Sequence, residues 1–168
     1  MLDNGRQILV RPLLPSDREE LAVRYTELSP AARRSRFGSA PDQLSPRQLD
    51  QLVDLDFDDR FALAAVAVDE DGEPGVGVAR YARHNDDPTV AEVAVVVLDE
   101  YQHRGIGSIL LWDLVAVARS HGITTFTATV MWARKELLDA IRSAGATVEP
   151  AEPGIAAVRF ELPDKAPE

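Results

Sequence analysis

Apolar positions recur along this chain in two rhythms, and the switches between them mark out its elements. Ile8-Leu9-Val10-Arg11 reads as a short first strand, ended by Pro12 and Pro15. Ser16 with Glu19 three residues on fits a capping box, and Leu21, Tyr25 and Leu28 then share one face of a helix running to about Leu28. Ser29-Pro30 and Ser45-Pro46 each set a capping serine before a proline at the first helical position, which predicts helices near 30–36 and 46–54. Phe61 to Val68 and Gly75 to Ala82 read as strands joined by a turn at Asp71-Gly72. Asn85-Asp86-Asp87-Pro88 is a second turn. Thr89 to Leu98 follows, apolar on both faces except for Glu92, as in a central strand covered on both sides.

The helical rhythm returns with Ile106, Leu110, Leu114 and Val117, and Gly122 supplies a stop after His121. Ile123 to Met131 is rich in threonine and valine and reads as a strand. Arg134 to Ala144, with Leu137, Leu138 and Ile141 on one face, reads as a helix ended by Gly145. Ile155 to Leu162 is the last strand, and 163–168 is expected to fray. The order is strand, helices, three strands, helix, strand, helix, strand, which is an α+β layout with a mixed sheet. At 168 residues without repeats, the chain is expected to form a single domain over 1–168.

Composition narrows the function classes. A formal charge of -10, from 18 basic and 28 acidic side chains, argues against a nonspecific nucleic-acid binder. It suits solubility or a cationic partner. There is no cysteine, so disulfides, thiolate zinc sites and a cysteine nucleophile are excluded. His84, His103 and His121 are scattered, and no metal site is expected. No apolar run reaches the length of a membrane span, and the first residues lack the apolar stretch of a signal peptide, so a cytoplasmic protein is the expectation. The cluster Arg33, Arg34, Arg36 reads as a solvated charged face, with a ligand contact as the alternative.

Chemistry is suggested where the central strand meets the long helix. Asp99-Glu100-Tyr101 turns the chain, and Gln102-His103-Arg104-Gly105-Ile106-Gly107-Ser108 leads into the helix. A helix start carries unpaired N–H groups and the positive end of the dipole, which suits phosphate. Gly105 and Gly107 would let a diphosphate approach the backbone, and Arg104 could add a charge-assisted contact. The alternative is a tight strand-to-helix turn and nothing more. No Gly-Lys-Ser/Thr follows, and no third glycine completes a dinucleotide fingerprint. Glu92 is the one ionisable side chain between Thr89 and Leu98. It reads either as a carboxylate buried in an apolar strand and made basic by desolvation, or as an outward-facing, salt-bridged glutamate.

Gln102-x-x-Gly105-x-Gly107, after a hydrophobic strand and before an amphipathic helix, resembles the acyl-CoA signature of the GNAT N-acyltransferase superfamily. The element order from Ile8 to Phe160 resembles it too. Val10-Arg11-Pro12 with Ser16-Asp17, Leu28-Ser29-Pro30 with Arg36-Phe37, Leu44-Ser45-Pro46, and Ala91 to Val97 ahead of Tyr101-Gln102 are similar to the catalytic domain of bacterial Pat-type protein lysine acetyltransferases. In that group the domain is usually fused to a regulatory or synthetase-like domain, for which 168 residues leave no room.

The resemblance implies a GNAT-like mixed, mostly antiparallel twisted sheet flanked by helices. It implies acetyl-CoA as co-substrate and an amine acceptor, a protein lysine before a small amine such as a polyamine, amino acid or antibiotic. A degenerate module that senses acyl-CoA without turnover is the remaining reading. It implies Glu92 as general base, because a lysine amine with a reference pKa of about 10.4 must lose a proton before it attacks. It implies cofactor contacts at Val95, Val96 and Val97 through their main chain, and at Gln102, His103, Arg104, Gly105, Ile106, Gly107 and Ser108. The chain departs from the superfamily's late motif: Arg134 stands at its asparagine and Ile141 at its acid tyrosine. Tyr25, Tyr81 and Tyr101 are the remaining tyrosines. Trp132, after Met131, is expected in the core or against the acyl end.

Overall fold

The computed structural model describes residues 6–37, 41–68, 72–131 and 135–165. Asp71, Trp132 and Arg134 lie outside these residues. Seven strands form one sheet in the order β1-β2-β3-β4-β5-β7-β6. They are β1 (Gln7–Pro12), β2 (Arg60–Val68), β3 (Gly75–Arg83), β4 (Val90–Val97), β5 (Thr125–Met131), β6 (Thr147–Glu152) and β7 (Ile155–Glu161). Every neighbouring pair is antiparallel except β4 and β5. The mixed, mostly antiparallel sheet expected from the sequence is therefore present.

Helices α1 (Arg18–Thr26), α2 (Pro30–Phe37) and α3 (Pro46–Val53) cover one face of the sheet, while α4 (Ile106–Ser120) covers the other. Ile106, Leu110, Leu114 and Ala118 of α4 are fully buried, as its periodicity requires. Gly77 shows how closely α4 approaches: a Cβ there would meet the Leu110 side chain at 3.1 Å. Helix α5 (Lys135–Ser143) packs on β6 less deeply, with Leu137 exposed.

Several local expectations hold. Ser45 Oγ accepts from Gln48 N at 3.2 Å while Gln48 Oε1 accepts from Ser45 N at 2.9 Å, a complete capping box. Ser29 Oγ accepts from Ala32 N. Gly122 and Gly145 adopt the left-handed backbone that ends a helix.

Others are corrected. The Ser16 box does not form: a tight turn at Pro15–Asp17 precedes α1, and Asp17 accepts from Leu14 N and from both Arg11 amines. An aspartate that can pair with Arg11 competes better for those donors than a serine hydroxyl. Strand β6 was not expected. It is an exposed edge strand, and Pro150 and its acidic residues hide the alternation that would mark it. Leu162 is buried and Asp164 pairs with Arg119, so the end of the chain is held at least that far.

Candidate active site

Strand β4 is a central strand for only part of its length. It pairs with β3 from Ala91 to Val97, but with β5 only at Val90, Ala91 and Glu92. Strand β5 continues to Met131 in full register with β7, so the two halves of the sheet splay apart beyond Glu92. From Val93 onward, the β5-facing edge of β4 has no strand partner among the described residues. The exposure of Glu92 and Val95 corrects the expectation of a strand fully covered on both faces. Val90 and Ala91 are buried, Val93, Val96 and Val97 are half-buried, and Val95 is 38% exposed. An apolar strand that ends in an open groove looks in sequence like one that ends in a core.

The loop after β4 borders this groove. Leu98 N donates to Val76 O, and Asp99–Tyr101 forms a tight turn. Gln102 donates from Nε2 to the Val97 carbonyl at 3.1 Å, tying the loop to the end of the strand. His103 and Gly105 both have positive φ, at 61° and 82°. Gly105 caps α4 without a side-chain hydrogen bond to the first turn, so the leading N–H groups of the helix have no side-chain cap among the described residues. The two glycines have different reasons. Gly105 needs its left-handed backbone, and a Cβ there would enter open space. Gly107 is helical, and a Cβ there would lie 3.8 Å from Val97 Cγ2 and 3.9 Å from Val95 Cγ1, on the groove itself. Nothing in the chain requires a glycine at 107. Arg104 and Ser108 are exposed, whereas the Ile106 side chain is buried in the core, leaving only its main chain at the groove.

Glu92 is exposed, so the expectation of an unpaired carboxylate buried in an apolar strand is corrected. It sits at the last β4–β5 pair, opposite Thr127, on the sheet face away from α4. There it borders an open cleft of about 410 Å³ with His84, Thr127, Thr129, Glu149 and Arg159. His84 Nε2 and Thr127 Oγ1 lie 3.1 Å apart.

Helix α2 supplies the neighbours that sequence reasoning missed. Arg33 and Arg36 are half-buried, which corrects the reading of the cluster as a solvated face. Arg33 donates to the carbonyls of Thr26 and Pro41 and lies over the Tyr25 ring. Burial lowers the Arg36 guanidinium from its ordinary range, and the Glu92 charge opposes that shift. Arg80, on β3 opposite Ala94, shares the Glu92 face. Burial, then the Arg36 charge, lowers Arg80 to about 10. Only the pairing of β3 with β4 brings Arg80 here, and nothing local to it in sequence signals that.

The tyrosines are engaged elsewhere. Tyr81 is buried with its hydroxyl on the Asp58 carbonyl, and burial pushes it up to about 12. Tyr25 donates to Pro41 O, and the Tyr101 hydroxyl accepts from Arg6. Among the described residues no group of three or more His, Asp or Glu is placed to hold a metal, and no helix is long and apolar enough to cross a membrane.

The model of the acetyltransferase (GNAT) family matches residues 18–143. Acetyltransferase PA5475 of Pseudomonas aeruginosa is 42% identical over 122 residues, which is 72% of this chain and 64% of that protein. Acetyltransferase Pat of Mycolicibacterium smegmatis is 35% identical over 129 residues, 76% of this chain and 37% of that protein. The chain thus matches less than two thirds of the length of either relative. The crystal structure of the GNAT domain of S. lividans PAT superposes with a TM-score of 0.83 at 32% identity, covering 96% of this chain and 94% of that one.

Proposed function

The chain belongs to the GNAT family of acetyltransferases, and from that premise we propose that it moves the acetyl group of acetyl-CoA to the side-chain amine of a protein lysine, with Glu92 as general base. The observation that carries this reading is the splay of β4 from β5, with Glu92 at its apex and the Gln102–Ser108 loop along its rim. In this reading the pyrophosphate takes the N–H groups at Gly105, Ile106, Gly107 and Ser108, with His103 and Arg104 beside it. The pantetheine arm lies along the free edge of Val95, Val96 and Val97, as an added strand would. Gln102 holds that edge and the loop together.

The chemistry is direct transfer. Glu92 takes a proton from the lysine ammonium, the neutral nitrogen attacks the thioester carbon, and the C–S bond breaks as the C–N bond is secured, the nitrogen's second proton passing to the departing thiolate. Backbone N–H groups at the β4 edge would polarise the thioester carbonyl. The leaving thiolate is a stable anion, and the hydroxyls of Tyr25 and Tyr81 are committed to main-chain carbonyls. The 35% identity to Pat supports a protein lysine as acceptor, and an acidic chain favours a cationic partner.

The test is calorimetry with acetyl-CoA, followed by release of free thiol over protein, peptide and small amine acceptors. Binding with thiol release on lysine-bearing proteins supports the proposal. Release only on small amines moves the acceptor. Binding without release on any amine makes the domain an acyl-CoA sensor, and absence of binding removes the reading.

A further inference from the structure

Between α1–α3 and the sheet lies a cavity of about 140 Å³, lined mainly by apolar side chains and bordered at one end by Arg36 and Arg80. Its charged residues fall into two groups. Arg11 is held by Asp17 at 2.8 Å and feels Glu20 and Glu73, while Arg24 pairs with Glu20 and Glu27. That end is balanced.

The end near Glu92 is not. Arg36 makes no hydrogen bond or ion pair among the described residues, and its guanidinium carbon lies 4.7 Å from the Phe37 ring centroid. Among the described residues Arg80 has one hydrogen bond, from Nη2 to the Leu52 carbonyl at 2.9 Å. Arg36 acts on Arg80 as a like charge, and the one carboxylate whose field reaches Arg36 is Glu92. Arg80 stands opposite Ala94, two residues from Glu92 on the same face, so the groups are diagonal neighbours across β3 and β4.

A guanidinium offers five donors and stays charged, and half-burying two of them side by side with most donors unused is costly. Against one carboxylate they leave one positive charge over. We propose that Arg36 and Arg80 form a subsite for a carboxylate at the inner end of the catalytic groove, brought either by the acceptor next to its reacting amine or by the end of a dicarboxylic acyl chain on the donor. The planar forks suit that group, and a cavity of this size takes a handful of heavy atoms, about as many as a benzene ring. The proposal rests on the reading of Glu92 and the groove as an acetyltransferase site.

Two arms distinguish the sources, both on the full chain. In the first, KM is measured with acetyl-CoA for Nα-acetyl-lysine against its amide, and for peptides that differ only by Glu or Gln beside the lysine. In the second, calorimetry compares succinyl-CoA with butyryl-CoA, which has the same chain length without the carboxylate and needs no turnover. The proposal expects the carboxylate form to be favoured about tenfold or more in one arm. Arg36→Gln and Arg80→Gln should reduce that preference to about twofold or less, while Arg36→Lys keeps part of it. If Arg80→Gln fails to fold, Arg80→Lys and Arg36→Gln decide. Binding of acetyl-CoA with no preference in either arm, or a preference that these substitutions leave unchanged, overturns the subsite alone. Absence of acetyl-CoA binding overturns the acetyltransferase reading, and the subsite with it.

Discussion

The two sides of the open end of β4 are built from different materials. On the α4 side the surface is backbone: a loop with two positive-φ residues and, among the described residues, a helix start with no side-chain cap and a strand edge without a partner. On the other side it is side chains from four separate strands, one helix and the residue after β3: Glu92, Thr127, Arg159 and Arg80, with Arg36 and His84. Backbone recognises what every substrate would share, the phosphate and amide groups of a common donor. Side chains recognise what distinguishes one acceptor from another, and an acceptor surface can change without disturbing the donor groove.

The largest expected effect breaks one side and spares the other. Glu92→Gln should lower kcat by about 10²–10⁴-fold, the usual contribution of a positioned base. Its dissociation constant for acetyl-CoA by calorimetry should stay within about twofold of the parent. Near-normal turnover by this variant would assign the carboxylate to the surface and not to the chemistry.

Gly107→Val is the converse. A Cβ there meets Val95 and Val97 only at ordinary contact distance and φ is unremarkable, so the backbone should be retained. The added methyls occupy the groove, and affinity for acetyl-CoA should fall about tenfold or more, read by calorimetry beside an unchanged circular dichroism spectrum. Unchanged affinity would mean that the glycine only makes a turn.

Gly105→Ala separates the loop's conformation from its ligand. With φ at 82° and open space around a Cβ, the penalty is in the backbone, roughly 1–2 kcal/mol. The thermal midpoint should fall by a few degrees, about 2–4 °C per kcal/mol for a domain of this size.

The smallest effect lies at the far, balanced end of the cavity. The hydrogen bonds from Arg11 hold the Asp17 carboxyl below its ordinary value. A depressed folded-state value stabilises above the unfolded one and is lost as pH falls through it. Asp17→Asn should therefore cost about 1 kcal/mol or less at neutral pH, and the gap from the parent should close in strong acid, below the ordinary aspartate range. Denaturant melts at several pH values measure this. A difference that persists in acid would contradict the ion pair.

How much of this was readable in the sequence follows the same division. Runs of local pattern were legible: the caps at Ser29 and Ser45, the α4 face from Ile106 to Leu114, and the glycine spacing of the loop all depend on near neighbours. What topology assembles was not. Arg80 reaches the Glu92 face only through the register of β3 on β4, and Arg36 looked like part of a solvated cluster. The apolar run of β4 suggested a core because the chain does not show where β5 turns away. Strand β6 was missed because an exposed edge needs no apolar alternation. Glu92 was found as the one charge in an apolar run, but the run alone left open whether it is buried or faces outward.

Hydrogen–deuterium exchange with and without acetyl-CoA tests the central claim most directly. The account predicts slowed exchange at the amides of Val95–Val97 and of Ile106–Ser108, on both walls of the splay at once. Binding that protects other segments and leaves these two unchanged would contradict it.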